Sequence, residues 1–363
     1  MSFILDEYYP AEFSCLQKQK LLPVNPKFDL SLIIPLYNSE KFIERCIKNL
    51  IEQITEYTFE IIFVNDGSTD STEVVVERFQ KLYPDLIKIV SQTNQGISAA
   101  RNVGILKSEG RYLGFVDHDD LLDPNYIQNL VKEAYLTDSD IVKCSFRTVF
   151  NKGRTIETRT NSFRKKSKLQ DELTVIPGLI WGGIYKREIF EMICFPNNMW
   201  FEDMIVRNLI YRIANSFSYI DSILYTKIEH KSNASKVIWK KNNLKALDQL
   251  YLSKQIYKDS LSLGLEMDIY AFNALTLELG SFLYWRINKL PESIQKAAFK
   301  EATLLANDIV NHLGISIFDL CLSKEQSLLL NGRFYKWKRY YQNDRMFAIG
   351  YRLLRIVSRN RRQ

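Results

Sequence analysis

The chain is poor in the residues that build metal centres from nitrogen and sulfur. Three histidines in 363 residues argue against a His-rich site. The five cysteines, Cys15, Cys46, Cys144, Cys194 and Cys321, are scattered with no CxxC pair. They offer no zinc site and fit a reducing compartment. No apolar run reaches the roughly 18 residues that a membrane-spanning helix needs. The opening MSFILDEYYPAEF is acidic and lacks the basic-then-apolar order of a secretion signal. There is no internal repeat and no low-complexity segment. Together these absences lead us to expect a cytoplasmic protein, folded rather than disordered, since 46% of residues are hydrophobic and 25% charged. The length allows a large core and more than one domain.

Positive charge is also missing from most of the chain. Residues 333–363 hold ten Lys or Arg against one Asp, so the remainder carries a net −2 of the total +7. Without a basic patch on the body, nucleic-acid binding is disfavoured.

What is present is alternation. DLSLIIPLYN, FEIIFVNDGSTD, IKIVSQ, Tyr112–Val116 and DIVKCSF read as strands, separated by segments of helical period. The first of those helices has Ser39 as its expected cap, and GISAARNVGILKSEG is expected to close at Gly110. Near-continuous apolar strands between helices predict an α/β fold with a mostly parallel sheet covered by helices. Ligands of such sheets bind beyond the carboxyl ends of the strands. Three polar clusters sit there: PLYN, NDGSTD and DHDD. After about residue 235 the pattern becomes helical throughout. The expected divisions are an extension over 1–28, an α/β domain over 29–235, a helical region over 236–332 and a basic tail over 333–363.

The DHDD cluster places Asp117, Asp119 and Asp120 within four residues of a strand end. Two unit charges about 4 Å apart repel by roughly 4 kcal/mol at an effective dielectric near 20. Mn²⁺ or Mg²⁺, which favour hard oxygen ligands, would reverse that repulsion. An acidic turn is the alternative. Asp66 suits a base or ribose, while Asp70 or Ser71 suits a helix cap. Arg101 can reach a diphosphate or form a surface salt bridge. Glu202 and Asp203, at the start of a helical pattern, are on their own favourable partners of a helix dipole.

SLIIPLYNSEKFIERCIKNL, IIFVNDGSTDSTEVVVERF, TNQGISAARNVGI and GRYLGFVDHDDLL resemble, in order and spacing, the family 2 glycosyltransferases with a GT-A fold. The likeness continues through GGIYKREIF and FPNNMWFEDMIVRNLIY, covering roughly residues 29 to 230. It implies a nucleotide-sugar donor, with Pro35, Tyr37 and Asn38 lining the base pocket and Asp66 contacting the base. It implies that Asp117 lies near the ribose, that Asp119 binds the metal bridging the phosphates, and that Asp203 is the general base. His118 departs from the small residue usual in the DxD motif, and EHKSNAS replaces the usual basic-Gly-Ser element, around His230 and Lys231. The implied reaction is inverting transfer of a sugar, UDP-linked by expectation, to a lipid-linked or polymeric saccharide. Glycosylation of a teichoic-acid-like polyol phosphate is the alternative acceptor chemistry, and a non-catalytic scaffold is the alternative of another class.

The tail carries a separate expectation. From Arg345 to Arg359, apolar and basic residues fall on opposite sides of a helix, and FYKWKRYY upstream interleaves aromatics with cations. This composition fits an anionic membrane surface, which would hold the protein on the inner face of the cell membrane. A helix packed on the protein with a solvated basic face is the other reading.

Overall fold

The computed structural model describes residues 13–17, 25–150, 153–169, 172, 176–230, 242–313 and 320–343. Strands β1 (Phe28–Leu36), β2 (Phe59–Asp66), β3 (Ile87–Gln92) and β4 (Gly110–Phe115) alternate with helices α1 (Ile43–Ile51), α2 (Thr72–Leu82) and α3 (Ile97–Lys107). β1 runs parallel to β2 on one side and β4 on the other, and β2 carries β3. Every residue of β1 from Leu30 to Leu36 is buried, so apolar side chains are needed on both faces. α1 covers the sheet with the stripe Ile43, Cys46, Ile47 and Leu50. α3 comes so close that a Cβ on Gly104 would sit 2.3 Å from Cγ2 of Ile33. Only glycine allows that contact.

The pairing of β1 with β4 ends at Ile33, whereas its pairing with β2 continues to Leu36. Pro35, which has no N–H to donate, lies past the point where β4 has dropped away. The sheet therefore opens at its centre, between strands whose connections run in opposite directions. Such a switch point is where open α/β sheets form a ligand crevice.

The second half of the sheet is less regular. It contains β5 (Leu121–Leu122), β6 (Ile141–Val149), β7 (Thr155–Thr158), β8 (Phe163–Lys165), β9 (Gly183–Lys186) and β10 (Phe217–Ile228), with α4 (Tyr126–Thr137) between β5 and β6. The order is β3-β2-β1-β4-β9-β6-β10-β5, with β9 antiparallel to both β4 and β6. The α/β class is as expected: β1 to β4 are parallel to one another, and the antiparallel pairings all involve the later strands β5 to β10.

Two expected helix ends move. α1 begins at Ile43 with no side-chain cap: the Ser39 carbonyl accepts from the N–H groups of Phe42 and Ile43 instead. α3 stops at Lys107, and Gly110 opens β4.

Beyond the sheet lie α5 (Asp248–Ser262), α6 (Ile269–Leu277), α7 (Glu292–Leu313), α8 (Lys324–Leu330) and α9 (Phe334–Asn343). α6 continues through a π-turn to Ile287. α9 falls within the segment read as tail, yet it belongs to the packed body. Its Trp337 is fully buried, 4.7 Å from the Phe299 ring and 5.3 Å from the Tyr284 ring, centre to centre. Lys338 pairs with Glu292 at 2.8 Å. Of the FYKWKRYY aromatics, Phe334, Trp337 and Tyr341 are thus buried against protein, whereas Tyr335 is exposed. The Arg345–Arg359 amphipathic pattern lies outside the described residues. No helix among the described residues is long and apolar enough to cross a membrane.

Candidate functional site

The three polar clusters follow the carboxyl ends of β1, β2 and β4. After β1, Tyr37 presents an aromatic ring that is 51% exposed. Asn38 sits in the left-handed region at φ 49°. Its side-chain oxygen accepts from Thr69 N–H at 2.8 Å and its own N–H donates to Ser68 Oγ at 3.0 Å. The turn after β1 is in this way tied to the turn after β2. The N-cap of α2 is Ser71, which makes no side-chain cap bond; Asp70 before it accepts from Thr72 N–H at 3.0 Å and from Glu40 N–H at 3.1 Å.

Asp66, at the end of β2, is buried. Its carboxylate accepts from Gln92 Nε2 at 2.7 Å and from the N–H groups of Gln95 and Gly96, both at 2.8 Å. Gly96, at φ 87°, makes the turn into α3 that delivers those two amides. Asp66 therefore ties the end of β2 to the turn that opens α3.

Beyond β4 the three carboxylates of the acidic cluster have different surroundings. Asp120 is buried and structural: Oδ2 accepts from the Tyr225 hydroxyl at 2.8 Å, and Oδ1 from Ile228 N–H at 2.7 Å. Burial, with Asp117 and Asp119 alongside, pushes its carboxyl well above the ordinary range. This anchor draws the end of β10 to the cluster. Two residues later, His230 Nε2 lies 2.6 Å from Asp119 Oδ2. The His230 ring stacks on Phe42 at 4.6 Å. Arg45 donates to the Asp119 carbonyl at 2.6 Å. Asp117 is raised by burial against the pull of Arg101.

Arg101 is neither on the surface nor free to face a diphosphate. It is 2% exposed, and donates to Glu202 Oε1 at 2.6 Å and to Asp117 Oδ1 at 3.4 Å. Its guanidinium lies 5.3 Å from the centre of the Phe195 ring. Burial opposes its charge, but Glu202, Asp203 and Asp117 outweigh that and hold it above its ordinary value. One cation therefore joins the DHDD cluster to the Glu202–Asp203 pair.

Asp203 Oδ1 is shielded from solvent and has no hydrogen-bond partner. Burial and the Glu202 charge raise its carboxyl to about 7 despite Arg101. A carboxylate poised near neutrality with an unused lone pair can take a proton from a hydroxyl.

Several residues of the site carried no readable signal. The Asp119–His230 contact spans 111 residues of chain. Lys143, buried in β6, donates to the carbonyls of Leu179 and Trp181 at 2.8 and 2.5 Å. Burial lowers its amine to about 7. Trp181 stacks on Tyr225 at 4.6 Å, so Lys143 and Asp120 buttress the same wall. A lysine in the apolar run DIVKCSF is the one hint the sequence offered.

A profile described as Glycosyl transferase family 2 matches residues 31–193. The uncharacterized glycosyltransferase EpsJ of Bacillus subtilis is 33% identical over 236 residues, 62% of this chain and 68% of EpsJ. The chain belongs to glycosyltransferase family 2. A second relative of this glycosyltransferase, the minor teichoic acid biosynthesis protein GgaB of Bacillus subtilis, is 32% identical over 147 residues, 40% of this chain but 16% of GgaB. In fold, the glycosyltransferase is similar to S. aureus TarS 1-349, crystallised in complex with UDP-GlcNAc. The TM-score is 0.70 at 21% identity, covering 86% of this chain and 91% of that one. That likeness supports the GT-A fold.

The donor set of the glycosyltransferase fits a divalent cation. Asp119 Oδ2 and His230 Nε2 are adjacent, and a carboxylate oxygen with an imidazole nitrogen suits Mn²⁺. Among the described residues no group of three or more His, Cys, Asp or Glu is gathered around one point. A cation held by this pair would therefore share its coordination with phosphate oxygens and water.

Proposed function

We propose that this glycosyltransferase moves a hexose or N-acetylhexosamine from a UDP-linked donor to a hydroxyl of a cell-surface saccharide, with inversion. The observation that carries the reading is the Arg101 bridge, which ties a candidate phosphate-side cluster (Asp117, Asp119) to a carboxylate of raised pKa, Asp203. Tyr37 offers an exposed ring for the base to stack on, and Asn38 and Asp66 shape the walls of that pocket. Asp117 lies towards the ribose. Asp119 and His230 would hold Mn²⁺ or Mg²⁺, which when bound stabilises the diphosphate as it leaves. Asp203 takes the proton of the acceptor hydroxyl, so that the hydroxyl oxygen can attack the anomeric carbon from the side opposite the diphosphate. Arg101 keeps Glu202 paired, which leaves Asp203 as the carboxylate that titrates near neutrality.

The UDP complex of TarS, which has a similar fold, supports a uridine donor. The relative GgaB, a minor teichoic acid biosynthesis protein, favours a second acceptor reading, a polyol phosphate of the teichoic acid kind. The basic pattern of residues 344–363, known from sequence alone, supports attachment to the inner face of the membrane, where a lipid-linked acceptor would lie.

The test is a panel of UDP-glucose, UDP-galactose, their N-acetylhexosamine counterparts and GDP-mannose. One UDP-sugar should raise the unfolding temperature and be hydrolysed slowly in the presence of Mn²⁺. Asp119→Asn should remove the Mn²⁺-dependent part of both effects while leaving the fold intact. Full turnover by Asp119→Asn, or unimpaired activity in EDTA, would overturn the metal assignment.

A further inference from the structure

Asp203 Oδ1 has no hydrogen bond to hold it. Its aim is set by the backbone that carries it, and that backbone is unusual. Phe201, two residues earlier, has φ 67°, and Asn198 has φ 59°. A left-handed conformation is uncommon for a bulky aromatic residue and persists only where the surroundings impose it. What imposes it here comes from the helical region, far along the chain. The guanidinium of Arg286, on the extension of α6, lies 4.1 Å from the centre of the Phe201 ring. Asp248, buried at the start of α5, accepts from Trp200 N–H at 2.8 Å. Lys245 donates to the Asn198 carbonyl at 2.5 Å and pairs with Asp248 at 3.2 Å. From Phe201 onward the chain turns at once into helix, with Met204 N–H donating to the Phe201 carbonyl and Val206 N–H to that of Asp203.

From these contacts the geometry points to Arg286 as a positioning residue for the general base. It clamps the Phe201 ring, with Asp248 holding the neighbouring amide, and so fixes the turn that presents Asp203 to the acceptor hydroxyl. The helical region is on this view part of the catalytic unit rather than an appendage to it. The inference rests on the proposed role of Asp203. It assigns the clamp to a planar cation, because a guanidinium lies flat on a ring where an ammonium does not.

The test compares Arg286→Met, Arg286→Lys and Phe201→Ala with Asp203→Asn in the full chain. UDP release is followed with the donor that the panel selects, at a temperature where each variant is fully folded. Arg286→Met should lower kcat tenfold or more with donor KM within about twofold of wild type, because the donor clusters lie on other loops. Arg286→Lys should recover little of that loss. Phe201→Ala should lower kcat similarly, and adding Arg286→Met to it should cost nothing further, since both changes release one clamp. If Arg286→Met only lowers the unfolding temperature and turns over normally while still folded, the inference is overturned. Should Arg286→Met fail to fold, Arg286→Lys and Phe201→Ala decide on the same readout. If Asp203→Asn also turns over normally, the base assignment falls first and takes the inference with it. An inactive Asp203→Asn beside a normal Arg286→Met sinks the inference alone.

Discussion

The two halves of the sheet solve the problem of buried polar groups in opposite ways. Around β1, β2 and β3 the polar side chains at the strand ends are satisfied by neighbouring loops. Asp66 accepts three hydrogen bonds from residues 92–96, and Asn38 is tied at both ends to residues 68 and 69. Around β6, β9 and β10 charges are buried with fewer bonds. Asp203 Oδ1, Asn208 Oδ1 and the Arg207 Nε are shielded and unpaired, although Lys143 has a full set of three bonds, to the Leu179 and Trp181 carbonyls and the Tyr185 hydroxyl. An unpaired buried polar atom costs about 1–3 kcal/mol. On the proposed function, the first half would hold the donor in one place and the second would supply the group that moves a proton.

The same division explains what could be read in advance. In the first half each polar cluster follows its own strand directly, so strand period and cluster position are legible together. The second half is assembled across long stretches of chain. β9 has four residues, wedged antiparallel between β4 and β6, and no periodicity announces so short a strand. Asp120 is indistinguishable in sequence from Asp117 and Asp119. Only the fold gives it Tyr225 and Ile228 as partners and leaves its neighbour to His230. Arg101 lay in a recognisable segment, but its partner Glu202 is 101 residues away. The aromatics of α9 have a composition that suits lipid and protein interior alike, and the structure places Trp337 against Phe299.

The comparison breaks most sharply at Asp203. Replacing it with Asn should lower kcat by a factor on the order of 10³ with nucleotide affinity nearly unchanged, the signature of a group used only in the transition state. A raised folded-state pKa also sets a sign for stability. Below about pH 4 Asp203 is protonated whether folded or unfolded, and its burial costs nothing extra. As pH rises towards 7 the folded state keeps the proton and the unfolded state loses it, so this contribution to stability declines. Asp203→Asn should therefore unfold at a higher temperature than wild type at pH 8, with the gap closing by pH 4. A variant that is less stable at pH 8 and fully active would make Asp203 an ordinary helix-start acid.

His230→Ala tests the boundary between the halves, because the segment just after β10 lends the first half one side chain. If His230 completes the cation site, the variant should need roughly 10–100-fold more Mn²⁺ for half-maximal activity, the scale of lost metal partners. Tyr225→Phe, which loosens the Asp120 anchor, should show the same direction at smaller size. Unchanged Mn²⁺ dependence in His230→Ala would leave His230 as a partner of Asp119 and Phe42 with no part in a cation site.

The smallest effect on chemistry is expected at the far end of the chain, where two truncations separate packing from attachment. Removing residues 344–363 takes away Arg345, Arg352, Arg355, Arg359, Arg361 and Arg362 but leaves α9 seated on the body. Donor hydrolysis and the unfolding temperature should stay at wild-type values. Binding to anionic vesicles should be lost, and in the intact protein it should weaken with salt, because exposed charges are screened over about 8 Å at physiological ionic strength. Cutting at 333 instead removes the buried Trp337 along with its contacts to Phe299 and Tyr284. Burial of that size is worth about 3–5 kcal/mol, so this shorter chain should unfold several degrees earlier. Co-sedimentation with neutral and anionic vesicles, run on both truncations beside the intact chain, separates the outcomes. If the intact chain ignores anionic vesicles at low salt, its last twenty residues do not attach it to a membrane, and the acceptor must be reached from solution.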